Sequence, residues 1–166
     1  LLAIPYEDID VQLQRLLDLE IDRIYQKIVL DHRGGWCYEM NGLLDWALRE
    51  IGFKVKRVNG GVARALRGDT AIGNHLVLLI DLGETFLADV GFGDGFFEPV
   101  PLVAAQFTQR GFNFKLEQLP DGYWRLHNHQ FGAAPSFDFR EDPADEALFA
   151  EKCQYLQTSP DSPFVM

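Results

Sequence analysis

Three side chains in this sequence have the types and neighbours that nucleophilic chemistry needs. Cys37 stands in "HRGGWCYEMN", behind two glycines and at the head of an apolar run. The glycine pair breaks one helical pattern, which puts the cysteine in the first turn of the next helix. Unpaired backbone N–H groups and the positive end of the helix dipole gather there. Both favour the thiolate, the reactive form of cysteine, and the same N–H groups can hold a developing oxyanion. A lone cysteine is also a common small core residue, so its meaning depends on partners. The segment "NHLVLLIDLGETFLADV" supplies them. With Asp81-Leu82-Gly83 as a three-residue turn and Gly83 left-handed, Ile80 faces Glu84 and His75 faces Asp89. Side chains so paired touch. An Asp in an otherwise apolar hairpin is costly unless it has a partner. A His donating one ring N–H to a buried Asp has its tautomer fixed and its imidazolium stabilised. Its other nitrogen can then take a proton from a thiol. Cys37, His75 and Asp89 are thus the candidate nucleophile, base and orienting carboxylate of a triad.

Two kinds of element must position them. From about Asp10 to Leu30 apolar residues recur with a helical period, and a second helix is expected from about Trp36 to Ile51, stopped by Gly52. Beyond Gly52 the texture changes to strands: "FKVKRV", "HLVLLI", "TFLADV", "NFKLEQL", "YWRLHN" and "SFDF". Helices then strands make an α+β chain. A helical unit over 1–52 carries the cysteine, and a β-rich unit over 53–166 carries His and Asp. Arg33 and Glu39 are expected to form a structural ion pair around the glycine loop. The Gly91-Phe92-Gly93 stretch can bring backbone close to a substrate, with Phe92 as an aromatic wall or as core. Asn74, beside His75, is a further contact candidate. The order Cys, His, Asp is shared by papain-like and transglutaminase-like enzymes, so the triad alone leaves the reaction open.

The quoted residues resemble the arylamine N-acetyltransferase family. "RGGWCYEMNGLL" is similar to its Arg-Gly-Gly-x-Cys-x-Glu-x-Asn signature, at Arg33, Gly34, Gly35, Cys37, Glu39 and Asn41. "HLVLLIDLGETFLADVGFGDG" is similar to its His strand and Asp-Val-Gly-Phe-Gly stretch. "IPYEDID" resembles an early Pro-Phe-Glu-Asn stretch, with Tyr6 and Asp8 as departures, and "TSPDSPFV" resembles the close of the second domain. The resemblance implies an N-terminal helical bundle, an antiparallel β-barrel and a cysteine-protease-like triad. A third domain covers the cleft in the family, and this chain is expected to stop where it would begin. The implied activity is ping-pong transfer from acetyl-CoA, through an acetyl-Cys37, to an arylamine or hydrazine. Asn74, Gly91, Phe92 and Gly93 are the implied cofactor-side residues, and no metal is implied. An open cleft exposes apolar surface, so a homodimer closed over it is one expectation. A cysteine hydrolase or transglutaminase-like enzyme, an amide synthase and an inactive truncated module remain as alternatives.

Composition narrows the partners. The chain has 166 residues and a net charge of −10, which disfavours nucleic acid and anionic membranes. No stretch is long and apolar enough to suggest a membrane span or signal peptide, so a soluble cytoplasmic protein is expected. Between Arg49 and Arg67 the balance reverses, with six basic residues against Glu50. That run is either a solvated face or a docking surface for a small anion. Cys37 and Cys153 do not form a disulfide framework, and Cys153 is expected to pack. His127-Asn128-His129 lacks the further ligands a metal site needs.

Overall fold

The computed structural model describes residues 3–165. Eight strands form one antiparallel sheet: β1 (Lys54–Val62), β2 (His75–Asp81), β3 (Thr85–Ala88), β4 (Val100–Pro101), β5 (Ala105–Gln109), β6 (Phe112–Gln118), β7 (Trp124–His127) and β8 (Ser136–Phe139). Across the sheet they run β4-β3-β2-β1-β8-β7-β6-β5. The expected mix of helix and antiparallel sheet is present, but the sheet curls only into a half-barrel. Its edge strands, β4 and β5, do not pair with each other. Prolines explain one edge: Pro99 and Pro101 flank Val100 in a strand of two residues, and proline has no N–H for a further ladder.

β2 is buried on both faces, which is why "HLVLLI" reads as an unbroken apolar run. Val77 and Leu79 pack with Leu87, Phe92, Phe114, Phe137 and Phe139 on one side. Leu76 and Leu78 pack with Trp36, Cys37, Tyr38, Phe149 and Cys153 on the other.

The helices are α1 (Ile9–Gln12), α2 (Ile21–Tyr25), α3 (Cys37–Glu50), α4 (Arg64–Arg67) and α5 (Glu146–Thr158). α3 lies where the sequence puts it. The single helix expected from Asp10 to Leu30 does not form. It divides into α1 and α2, and α2 runs on into a π turn over Gln26–Leu30. Gln14 has φ +55°, and the extended stretch after it has a tertiary partner. The Leu17 N–H donates to Gln157 Oε1 at 2.6 Å, and Gln157 Nε2 donates to the Leu17 carbonyl at 2.9 Å. That side chain replaces the helical hydrogen bonds that Leu17 forgoes.

α5 was not expected. Asp145 caps it by accepting from the Ala147 and Leu148 N–H groups. Phe149, Cys153 and Leu156, one helical face, are buried against the cysteine-bearing core. That core therefore draws on both sides of residues 52/53.

Candidate active site

Three observations place the cysteine. It is the first residue of α3, after Trp36 as N-cap. The Trp36 N–H donates back to Glu39 Oε2 at 3.1 Å, half of a capping box. The two glycines before it do more than break a helix. Segment 5–7 runs alongside them, with the Glu7 N–H donating to the Gly35 carbonyl at 3.1 Å and the Gly35 N–H to the Pro5 carbonyl at 3.3 Å. A Cβ on Gly34 would lie 2.2 Å from the Pro5 oxygen, so no larger residue admits that approach.

The hairpin brings His75 to Asp89, but not in the expected register. Asp81 pairs with Thr85, and Ile80 with Phe86 rather than Glu84. The turn is Leu82-Gly83-Glu84, with Gly83 at φ +93°. The Gly83 N–H donates to Asp81 Oδ1 at 3.0 Å, a side-chain turn that keeps Asp81 inside its strand. A shift of this size preserves which residues share a face. Asp89 lies just past the end of β3 and reaches His75 diagonally, with His75 Nε2 2.5 Å from Asp89 Oδ2.

Asp89 Oδ1 accepts from the Gly91 N–H at 2.7 Å and from Asn41 Nδ2 at 2.8 Å. Asn41 is fully buried and also donates to the Leu76 carbonyl at 2.7 Å, while its Oδ1 accepts from the Val90 N–H at 2.8 Å. One side chain thus ties α3, β2 and the Asp89 loop together. The motif contains Asn41, and the sequence assigns it no role. Its spacing, one helical turn after Cys37, was the available signal.

Cys37 is almost wholly buried, and its Sγ is 3.8 Å from the Asn74 carbonyl oxygen, one residue before His75. Burial pushes the thiol pKa up, the Asp89 charge adds to that, and the Tyr38 backbone N–H pulls the other way. At this site desolvation outweighs the N-terminal N–H groups, so the thiolate that the helix start favours depends on a partner. Cys37 and His75 share a cleft of about 580 Å³ with Tyr6, Val62, Arg67, Phe92 and Phe164.

The other candidates line this cleft with their own attachments. The Asn74 side chain is engaged by β1, accepting from the Val62 N–H at 2.8 Å. A Cβ on Gly91 would lie 2.7 Å from both Cα and O of Cys37, so backbone here closely approaches the cysteine. Phe92 is both wall and core: its ring meets His75 edge-on at 5.7 Å and Phe137 at 4.8 Å. Gly93 adopts φ +80° beside it.

Arg33 and Glu39 do not pair with each other. Arg33 reaches Glu7 at 2.7 Å and Asp10 at 2.9 Å. Glu39 is held by Lys27, whose Nζ is 2.9 Å from both carboxylate oxygens. Asp10 joins the two pairs, 2.9 Å from Lys27. Of the six basic residues between Arg49 and Arg67, only Arg67 lines the cleft. Arg49 and Arg57 pair with Asp45, and Arg64 with Asp69, Asp121 and Asp138. His127 faces Glu117 at 2.6 Å, and His129 the Asp94 carbonyl at 2.9 Å. Among the described residues no group of three or more His, Cys, Asp or Glu is placed to hold a metal, and no helix is long and apolar enough to cross a membrane.

A family profile described as N-acetyltransferase matches residues 1–166. This chain belongs to the arylamine N-acetyltransferase family. It is 29% identical over 185 residues to the pineal gland arylamine N-acetyltransferase isozyme NAT-10 of Gallus gallus, covering 98% of this chain and 63% of that protein. The solved arylamine N-acetyltransferase of M. smegmatis superposes with TM-score 0.84 at 33% identity, over 98% of this chain and 62% of that one. The Mycobacterium marinum arylamine N-acetyltransferase, solved in complex with CoA, superposes with TM-score 0.83 at 26% identity, over 97% and 62%. The chain thus spans just over three fifths of these members of the arylamine N-acetyltransferase family.

Proposed function

We propose that this protein is an arylamine N-acetyltransferase that passes an acetyl group from acetyl-CoA, through Cys37, to an arylamine or hydrazine. The observation that carries the reading is a buried His75–Asp89 pair in the same cleft as a cysteine at a helix start, in a chain of this family. Acetyl-CoA as donor is supported by the CoA complex of the M. marinum relative.

The steps follow from the site. His75 Nε2 is engaged by Asp89, so Nδ1 takes the Cys37 proton. The thiolate–imidazolium pair offsets the burial that would otherwise keep the thiol protonated. Sγ attacks the thioester carbonyl, coenzyme A leaves with the proton held on His75, and acetyl-Cys37 remains. The amine attacks that thioester, its proton passes to His75, and the product leaves as Cys37 is restored. Exchange of thiol for thioester is nearly balanced in energy, which suits sulfur as the carrier. Asn74, Gly91, Phe92 and Gly93 are the cofactor-side wall. Residues 1–52 act as the nucleophile-bearing helical bundle and 53–166 as the β-rich partner, together forming a cysteine-protease-like triad. On this reading the protein works in the cytoplasm.

Incubation with acetyl-CoA alone tests the first half-reaction. Intact mass is expected to rise by one acetyl group in the parent protein and by none in Cys37→Ala. No gain in the parent overturns the reading.

A further inference from the structure

Tyr6 is a departure from the phenylalanine that the resemblance places there, and its hydroxyl is unexplained by packing. The ring packs against the core cluster containing Trp36, Cys37 and Tyr38, where a phenylalanine would serve as well. A phenol in apolar surroundings normally finds a partner for its polar end. Tyr6 instead lines the cleft with Cys37 and His75, and among the described residues nothing accepts its proton.

The position is fixed by backbone. Tyr6 bridges to Gly35, with hydrogen bonds from the residues on either side of it. Arg33 clamps Glu7 and Asp10 further along. The Arg33-Gly34-Gly35 loop is therefore a platform that holds Tyr6 beside the sulfur two residues later.

We propose that the Tyr6 hydroxyl donates a hydrogen bond to the acyl oxygen while that oxygen carries negative charge, which makes Tyr6 a catalytic residue of the Cys37 site. The proposal rests on the reading that Cys37 accepts an acyl group. In the step concerned, Cys37 Sγ forms a bond to the carbonyl carbon and the C=O π pair moves to oxygen. That oxygen accepts from Tyr6, whose proton stays on the phenol. Collapse restores the carbonyl and breaks the bond to the leaving group, which takes the proton held on His75. Burial raises the phenol pKa, and a thiolate at Cys37 raises it further, so the group stays protonated throughout.

Tyr6→Phe tests this with two reagents on the full chain. Acetylation of Cys37 by p-nitrophenyl acetate passes through an oxyanion, whereas alkylation by iodoacetamide does not. The variant is expected to acetylate about 100- to 1000-fold more slowly, with alkylation unchanged. Unchanged acetylation overturns the proposal. So does equal slowing of both reactions, because Tyr6 would then be supplying thiolate or holding the site's shape. A parent acetylated by the ester but not by acetyl-CoA removes the donor reading and leaves the Tyr6 comparison intact. A parent acetylated by neither removes both.

Discussion

Two buried carboxylates flank the start of α3, and only one of them can take part in proton transfer. Glu39 receives two hydrogen bonds from Lys27 and one from the Trp36 N–H. Asp89 receives hydrogen bonds from Asn41 and the Gly91 N–H and faces His75. Both need partners, because an unpaired buried charge is costly. The difference lies in the partner. An ammonium group keeps its proton, and Lys27 is also committed to Asp10 and lies 3.8 Å from Glu7. An imidazole held at one nitrogen leaves the other for a thiol. On the proposed function, the same burial makes a fastener on one side of α3 and a base on the other.

The largest effect is expected from replacing that base. In His75→Gln the Cys37 thiol keeps the burial that raises its pKa and loses the group that would take its proton. Alkylation at pH 7 is expected to slow by at least about 1000-fold, read as iodoacetamide kinetics by mass. Alkylation at the parent rate would mean that the helix start activates the thiol alone, and the contrast between the two carboxylates would fail. Lys27→Met examines the other side. It leaves Glu39 buried without its cation and Asp10 with only its arginine partners, and a loss of about 3–5 kcal/mol in urea unfolding is expected. His75→Gln is expected to show the reverse pattern, with chemistry lost and stability largely kept. A Lys27→Met protein as stable as the parent would show that the network does not fasten the loop.

Much of the candidate site was legible because its signals are local. A cysteine after a glycine pair and a His–Asp pair in one hairpin can each be read from a few neighbouring residues. Register was not, since the Asp81 side chain moved the turn by one residue on each strand. The pairing survived because a shift that preserves alternation leaves His75 and Asp89 on one face. Elements that depend on distant partners were the ones lost. α1 and α2 separate where Gln157 reaches Leu17 from across the chain, and no local period reports that. α5 hid because its buried face covers the cysteine's core from far along the sequence. Arg33 and Glu39 share a loop and so suggested a pair, yet each met a charge on another segment. The helix start that favours a thiolate can be read locally, whereas the burial that opposes it is tertiary.

Acid titration gives the smallest effect and sharpens the comparison within the structural network itself. Burial acts on both of its carboxylates. In Glu39 it prevails over Lys27 and the pKa rises above 4.5. In Asp10 the hydrogen bonds and charges of Arg33 and Lys27 overcome it, and the pKa falls below 3.8. The two contribute with opposite sign. A raised carboxyl favours the fold when protonated, so its contribution is full below 4.5 and is lost as pH rises through the folded value. A depressed one favours the fold when ionised, so its contribution holds above 3.8 and is lost as pH falls through the folded value. Glu7, Arg15, Lys27 and Arg33 are the charged groups around them. On acidification Glu39 is expected to protonate first with a gain in stability, and Asp10 later with a loss. Melting temperatures across that range should show the gain in the parent and not in Glu39→Gln. Asp10→Asn should remove the later fall. Parent and Glu39→Gln curves of the same shape would mean that Lys27 holds Glu39 ionised after all, and that the fastener is a fixed ion pair down to the pH at which Asp10 lets go.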